Sequence, residues 1–293
     1  MIKIIFIAGD GRSGSTLLES ILSNGNDSIS VGECHRFWKR FVENSSQCGC
    51  GMPINDCEFW GAVHRKLTDE FPDYDPVTFQ KEVQDFQRYK NFKQLPSLLD
   101  SERWKRFSEI ISAFYRAIAR FSEKNTIIDS SKSIPWARLL QLNDEFDVRV
   151  IHLERQLSQV ANSWKKRILL PEYPNSEVYM PIKSNALILK SWLKVKLMAR
   201  SLPKGGPYLF LRYEKLPKNP EQSIKRIVKF TEIDLDIDHL TYQHNHAVGG
   251  NPMRHGVQGT IEFITESTAN HNLSYLERIG FSVVHKLASF VGP

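Results

Sequence analysis

The stretch Ile2-Lys-Ile-Ile-Phe-Ile-Ala-Gly9-Asp10-Gly11-Arg12-Ser13-Gly14-Ser15-Thr16-Leu17-Leu18 decides the fold. It begins as an unbroken run of β-branched and apolar residues, the pattern of a strand buried on both faces of a parallel sheet. Gly9-Asp10-Gly11 ends the run, and Leu17, Leu18, Ile21 and Leu22 then recur at helical spacing. Strand, glycine-rich turn and helix in that order gather the free amides of a helix start, with the positive end of its dipole, around a space suited to an anion. The spacing approaches G-x-x-x-x-G-K-[ST], but Ser15 stands where the lysine belongs. The nearest cation is Arg12, inside the loop, a placement that suits an anion shorter than a triphosphate.

Working outward, strand patterns return at 29–31, at Asn125–Asp129, at Val148–Leu153 and at Pro207–Arg212. Helical patterns fill 134–145, 156–168, 184–201 and 221–231. Residues 61–122 also read as largely helical, broken by Pro72, Pro76 and Pro96. Alternation of this kind predicts an α/β fold of three layers, a central parallel sheet flanked by helices. Residues 36–60 read as irregular, Leu170–Pro181 as a surface loop and 243–262 as turn-rich. The 293 residues suit one domain, 1–293, with the helical insert at about 61–122. Charged residues make up 25% of the chain, with a net charge of +6, and are interleaved rather than blocked, so no arm for nucleic acid is expected. The apolar run at the N-terminus is too short for a secretion signal, and no stretch approaches the ~20 apolar residues of a membrane span. The expectation is a cytoplasmic protein.

Further polar segments sit where these strands end. Arg155 follows Glu154 at the end of the strand at 148–153, and Ser163 comes eight positions later, within reach of the same phosphate. Tyr213 lies in Leu211-Arg-Tyr-Glu-Lys-Leu-Pro217. Glu33 and His35 fall in Ser30-Val-Gly-Glu-Cys-His-Arg-Phe-Trp38, and Lys132 in Ile127-Ile-Asp-Ser-Ser-Lys-Ser133. Gly249-Gly-Asn251-Pro-Met-Arg254 is a late glycine-rich loop with two phosphate donors, Asn251 and Arg254.

Gly11–Leu18 resembles the 5′-phosphosulfate loop of the sulfotransferases that use 3′-phosphoadenosine 5′-phosphosulfate (PAPS), and the other segments follow in that family's order over roughly residues 3–260. The resemblance implies a P-loop fold and sulfuryl transfer from PAPS to a hydroxyl or amine of a small-molecule, carbohydrate or lipid acceptor, leaving adenosine 3′,5′-bisphosphate. It implies donor binding by Arg12, Ser13, Gly14, Ser15, Thr16, Leu17, Arg155, Ser163, Tyr213, Asn251 and Arg254. Glu33 is the implied base, with His35 the second choice. Arg12 and Lys132 stabilise charge on the transferring group, with Ser130 and Ser131 as further donors, and no metal is called for. The insert at 61–122 and the loop at 170–182 become a lid on the acceptor side, lined by such aromatics as Trp104, Tyr115, Tyr173 and Tyr179. Two other readings stay open: a P-loop kinase or nucleoside triphosphatase, with Asp129 as its metal-binding acid, and a nucleotide-binding protein without catalysis.

Cys48, Cys50 and Cys57, with His64 downstream, have the residue types for zinc but not its familiar spacing. Free thiols or a local disulfide are the preferred reading.

Overall fold

The computed structural model describes residues 1–44, 46–93, 95–170, 177–243, 245–250, 259–263 and 272–289. In chain order the elements are β1 (Ile2–Gly9), α1 (Ser15–Leu22), β2 (Ser28–Gly32), α2 (Phe37–Glu43), α3 (Glu58–Glu70), α4 (Pro76–Phe86), α5 (Tyr89–Lys93), α6 (Leu95–Leu98), α7 (Glu102–Ser122), β3 (Thr126–Lys132), α8 (Ile134–Gln141), β4 (Phe146–Glu154), α9 (Leu157–Trp164), α10 (Asn185–Ala199), β5 (Tyr208–Arg212), α11 (Lys215–Lys218), α12 (Pro220–Thr231) and α13 (Tyr275–Ser289). The five strands form one parallel sheet in the order β2-β3-β1-β4-β5.

Alternation along β1 builds the three layers. Ile4, Phe6 and Ala8 point into a large aromatic-rich core shared with α2, α3, α7 and α8. Ile5 and Ile7 point the other way, onto α1 and α12. A third, smaller cluster joins α9, α10 and α13 through Trp164, Trp192 and Phe281. The helical region at 61–122 is therefore structural at its root. Trp104 and Tyr115, expected among the lid aromatics, are buried in the first core.

Two departures from the sequence reading are local. A two-turn helix, α2, interrupts the irregular segment because Phe37 and Trp38 bury against Trp60 and Phe114. The C-terminal helix α13 had no counterpart in the sequence reading, and of its residues only Phe281 is buried.

The sheet holds the site through its carboxyl edge. The β1–β3 ladder slips between Phe6 and Ala8, and the β2–β3 ladder between Ser30 and Gly32. Residues 130–132 thus leave regular pairing beside Asp129, and Lys132 adopts a left-handed φ of 63°. That bend turns its side chain toward the tip of β2.

Candidate active site

The loop between β1 and α1 curls between two aromatic rings. A Cβ on Gly11 would come within 2.7 Å of Trp164, and one on Gly14 within 2.2 Å of the Tyr213 ring, so neither position has room for a side chain. Gly14 also takes a φ of 91° as the N-cap of α1, which glycine adopts without strain. The glycine N-cap offers this helix start no side-chain acceptor, and Leu17 N–H closes on the Gly14 carbonyl at 3.1 Å. Ser15, Thr16 and Leu17 form that first turn.

Arg12 has a left-handed φ of 69° that projects its guanidinium out of the loop, over Trp164 and against the Met180 sulfur. It makes no ion pair among the described residues. Burial pushes its pKa down, and neighbouring Arg155 pushes it further. Arg155, itself buried, donates to the Arg12 carbonyl at 3.2 Å and lies 4.5 Å over the Tyr213 ring. The two positive charges are near enough to disfavour each other. Ser13 Oγ and Arg12 Nε are buried with no hydrogen-bond partner among the described residues. Ser163 sits half-buried in the last turn of α9. Asn251, Arg254 and Tyr173 lie outside the described residues.

On the other side of β1 the cations already have a carboxylate partner. Lys132 Nζ is 2.5 Å from Glu33 Oε1, and Arg36 Nε is 2.5 Å from Oε2. Burial would raise the Glu33 carboxyl, but Lys132, Arg36 and His35 outweigh it and draw it down to about 2. His35 is pushed down to about 3, first by burial and then by Arg36, so its ring is neutral near pH 7. Its backbone N–H donates to Ser131 Oγ at 3.2 Å.

Two of the serine and acid expectations change. Ser130 donates to Glu19 of α1 at 2.5 Å and so belongs to a buried network shared with Ser30. Asp129 accepts from Tyr115, Trp136 and the Ser131 amide, at 2.5, 3.2 and 2.8 Å. Burial lifts its pKa to about 6 despite those donors. A carboxyl enclosed in this way shapes the turn at 130–133 and is poorly placed to hold a solvated metal.

Three members of the site were missed. Arg36 follows His35 directly and could have been read from the same segment. Lys183 is 3.5 Å from the centroid of Trp164, and its pKa is lowered first by burial, while Asp10 opposes and Arg12 and Arg36 add to the lowering. Asp10 itself, raised by burial, accepts from Ser191 at 2.7 Å. No linear spacing links Lys183 or Ser191 to the loop at 9–14.

The cysteine segment packs against residues 245–247, next to the bridge between Val248 and Gly32. Cys48, Cys50 and Cys57 are free thiols, and the histidine beside them is His246. His64, the histidine that the zinc alternative would have used, stacks on Phe41 at 4.2 Å instead.

A family model described as "Sulfotransferase domain" matches residues 3–253. Among solved structures, the sulfotransferase domain of the Synechococcus PCC 7002 olefin synthase is 19% identical, with 97% of this chain and 94% of that one covered and a TM-score of 0.53. A sulfotransferase domain from the curacin biosynthetic pathway is 17% identical over 88% of this chain and 84% of that one, with a TM-score of 0.48. A sulfotransferase from Mycobacterium tuberculosis is 12% identical over 80% and 69%, with a TM-score of 0.46. No helix among the described residues is long and apolar enough to cross a membrane.

Proposed function

The chain belongs to the sulfotransferase-domain family and is a sulfotransferase; from that premise we propose that it draws its sulfuryl group from PAPS and delivers it in line to a hydroxyl or amine of a small-molecule, carbohydrate or lipid acceptor. The observation that carries the donor assignment is the pair Arg12 and Arg155, held together beside an uncapped helix start and two unpartnered buried donors. This cradle fits a 5′-phosphosulfate on the amides of residues 13–17, with Arg155 and Ser163 toward the 3′-phosphate and Tyr213 beside the adenine. PAPS, when bound, supplies a sulfur whose bond to the phosphate oxygen breaks as the bond to the acceptor oxygen or nitrogen forms.

The protein's own groups then divide the work. Arg12 and the loop amides stabilise the charge that grows on the leaving phosphate oxygen. Lys132 is the mobile cation. With Glu33 it forms a short ion pair, and an arriving sulfuryl group offers its ammonium a second anion. As Lys132 turns toward the sulfuryl oxygens, Glu33 loses the strongest influence holding its pKa down. Burial then makes it a better acceptor for the hydroxyl or amine proton. His35, neutral and next to Glu33, is the second candidate for that proton. The acceptor enters from the side of the helical insert, where Gln87, just after α4, accepts from Ser133 beside Lys132 at 2.7 Å.

The test is transfer of labelled sulfate from PAPS across a panel of sugar, lipid and small alcohol or amine acceptors. Labelled product with no magnesium requirement is expected. Tight, magnesium-dependent ATP binding without transfer would replace this reading with a kinase or triphosphatase. Donor binding with no transfer to any acceptor, unchanged by Glu33→Gln, would mark a protein that only binds the nucleotide.

A further inference from the structure

Cys48, Cys50, Cys57 and His246 lie apart from the charged site, and their ligand atoms all fall within 4.8 Å of one another. We propose that these four residues form a structural zinc site that fastens the distal segment 245–248 to the tip of β2. Zinc bound at ~2.3 Å to sulfur and ~2.0 Å to nitrogen sets tetrahedral corners about 3.7 Å apart for two sulfurs and about 3.5 Å apart for sulfur and nitrogen. Cys50 and Cys57 Sγ are 3.7 Å apart, and His246 Nδ1 is 3.7 Å from Cys48 and 3.3 Å from Cys57. These separations far exceed the ~2.05 Å of a disulfide.

The backbone is built to hold that arrangement. Cys48 N–H donates to the Met52 carbonyl and Gly51 N–H to the Cys48 carbonyl, closing a knuckle that brings Cys48 and Cys50 to one side. Cys57 is the N-cap of the 13-residue α3, where the helix dipole favours a thiolate. The His246 ring stacks on Phe59 at 4.6 Å, nearly parallel, and its carbonyl accepts from Trp60 Nε1 at 2.7 Å, which fixes the orientation of Nδ1. Four protein ligands leave no open position, so the role is structural rather than catalytic.

What the site would hold is plain from the next residues. Gly49 N–H donates to the Ala247 carbonyl, Val248 N–H to Val31, and Glu33 N–H to Val248. The cluster therefore pins the segment at 247–248, whose Val248 carbonyl holds the Glu33 amide. This assignment is independent of the sulfuryl-transfer reading, because its readout is metal content.

The full chain, purified without chelator, should carry about one zinc per molecule by elemental analysis. Cys50→Ser and His246→Ala should each lose most of it, whereas His64→Ala should keep it. Cobalt exchanged into the wild-type protein should give the thiolate charge-transfer and tetrahedral visible bands, a readout that survives even if the variants fold poorly. Chelator should release the zinc and lower the melting temperature. Metal-free protein whose three thiols all alkylate without effect on cobalt binding would overturn the proposal, as would a covalent Cys pair found under non-reducing conditions.

Discussion

The two sides of β1 solve opposite electrostatic problems. Toward α1 and β4, Arg155 is bonded to the Arg12 carbonyl, and its charge lies near enough to lower the Arg12 pKa. Toward β3 and β2, Lys132 and Arg36 are both closed on Glu33, so each cation has a carboxylate partner within the protein. Under the proposed function the donor's anionic groups complete the first side, and the second opens as Lys132 turns from Glu33. Binding strength should therefore reside on the donor side and rate on the transfer side.

The sharpest way to break that division is Arg12→Ala. Loss of a charged, part-buried hydrogen-bonding group should weaken adenosine 3′,5′-bisphosphate binding about 100-fold, roughly 3 kcal/mol, measured by calorimetry. Arg155→Ala should do nearly as much. Near-wild-type binding by either variant would erase the distinction between the two sides. Glu33→Gln should do the reverse, with turnover down by about 10²-fold or more and bisphosphate affinity nearly unchanged. Full activity in this variant would move the proton to His35 or to the substrate itself.

A stability measurement sharpens the transfer side. Glu33 titrates near 2 in the folded chain against an ordinary value of 4.5. A lowered carboxylate stabilises the fold above the unfolded pKa and loses that contribution as pH falls toward the folded one. The difference corresponds to about 3 kcal/mol, present above pH 4.5 and lost between about 4.5 and 2. Denaturant unfolding at pH 5 and pH 3 should show the wild type losing more stability over that interval than Glu33→Gln. An equal loss in both would mean that Lys132 and Arg36 do not hold the carboxylate in solution. The smallest effect is expected at His35. With its ring near a pKa of 3, the rate profile should show no ionisation at the usual histidine value of 6.5, and His35→Gln should leave the profile's shape unchanged.

The same contrast explains what could be read from the chain alone. The glycine-rich loop was legible because its parts are consecutive: an apolar strand, glycines that admit Trp164 and Tyr213, and a helix start. The three-layer α/β fold followed from alternation, since each strand run was long enough to show its pattern. α2 was too short to display a helical period, and α13 buries too little to show a clean apolar stripe. The transfer side was legible only as single residues. That Lys132 meets Glu33 across 99 positions, that Lys183 covers Trp164, and that His246 rather than His64 joins the cysteines are facts of chain crossing. Local spacing carries no trace of them. Ser130 was misread because a serine beside a motif can face either side of its strand, and this one faces Glu19.

The main-chain N–H of residue 33 is held by the carbonyl of residue 248, at 2.6 Å. Deuterium uptake at that single amide would therefore act as a clock for the docking of the distal chain, slow while the segment is seated and fast once it lifts, with the carboxylate on the same residue left chemically untouched by the probe.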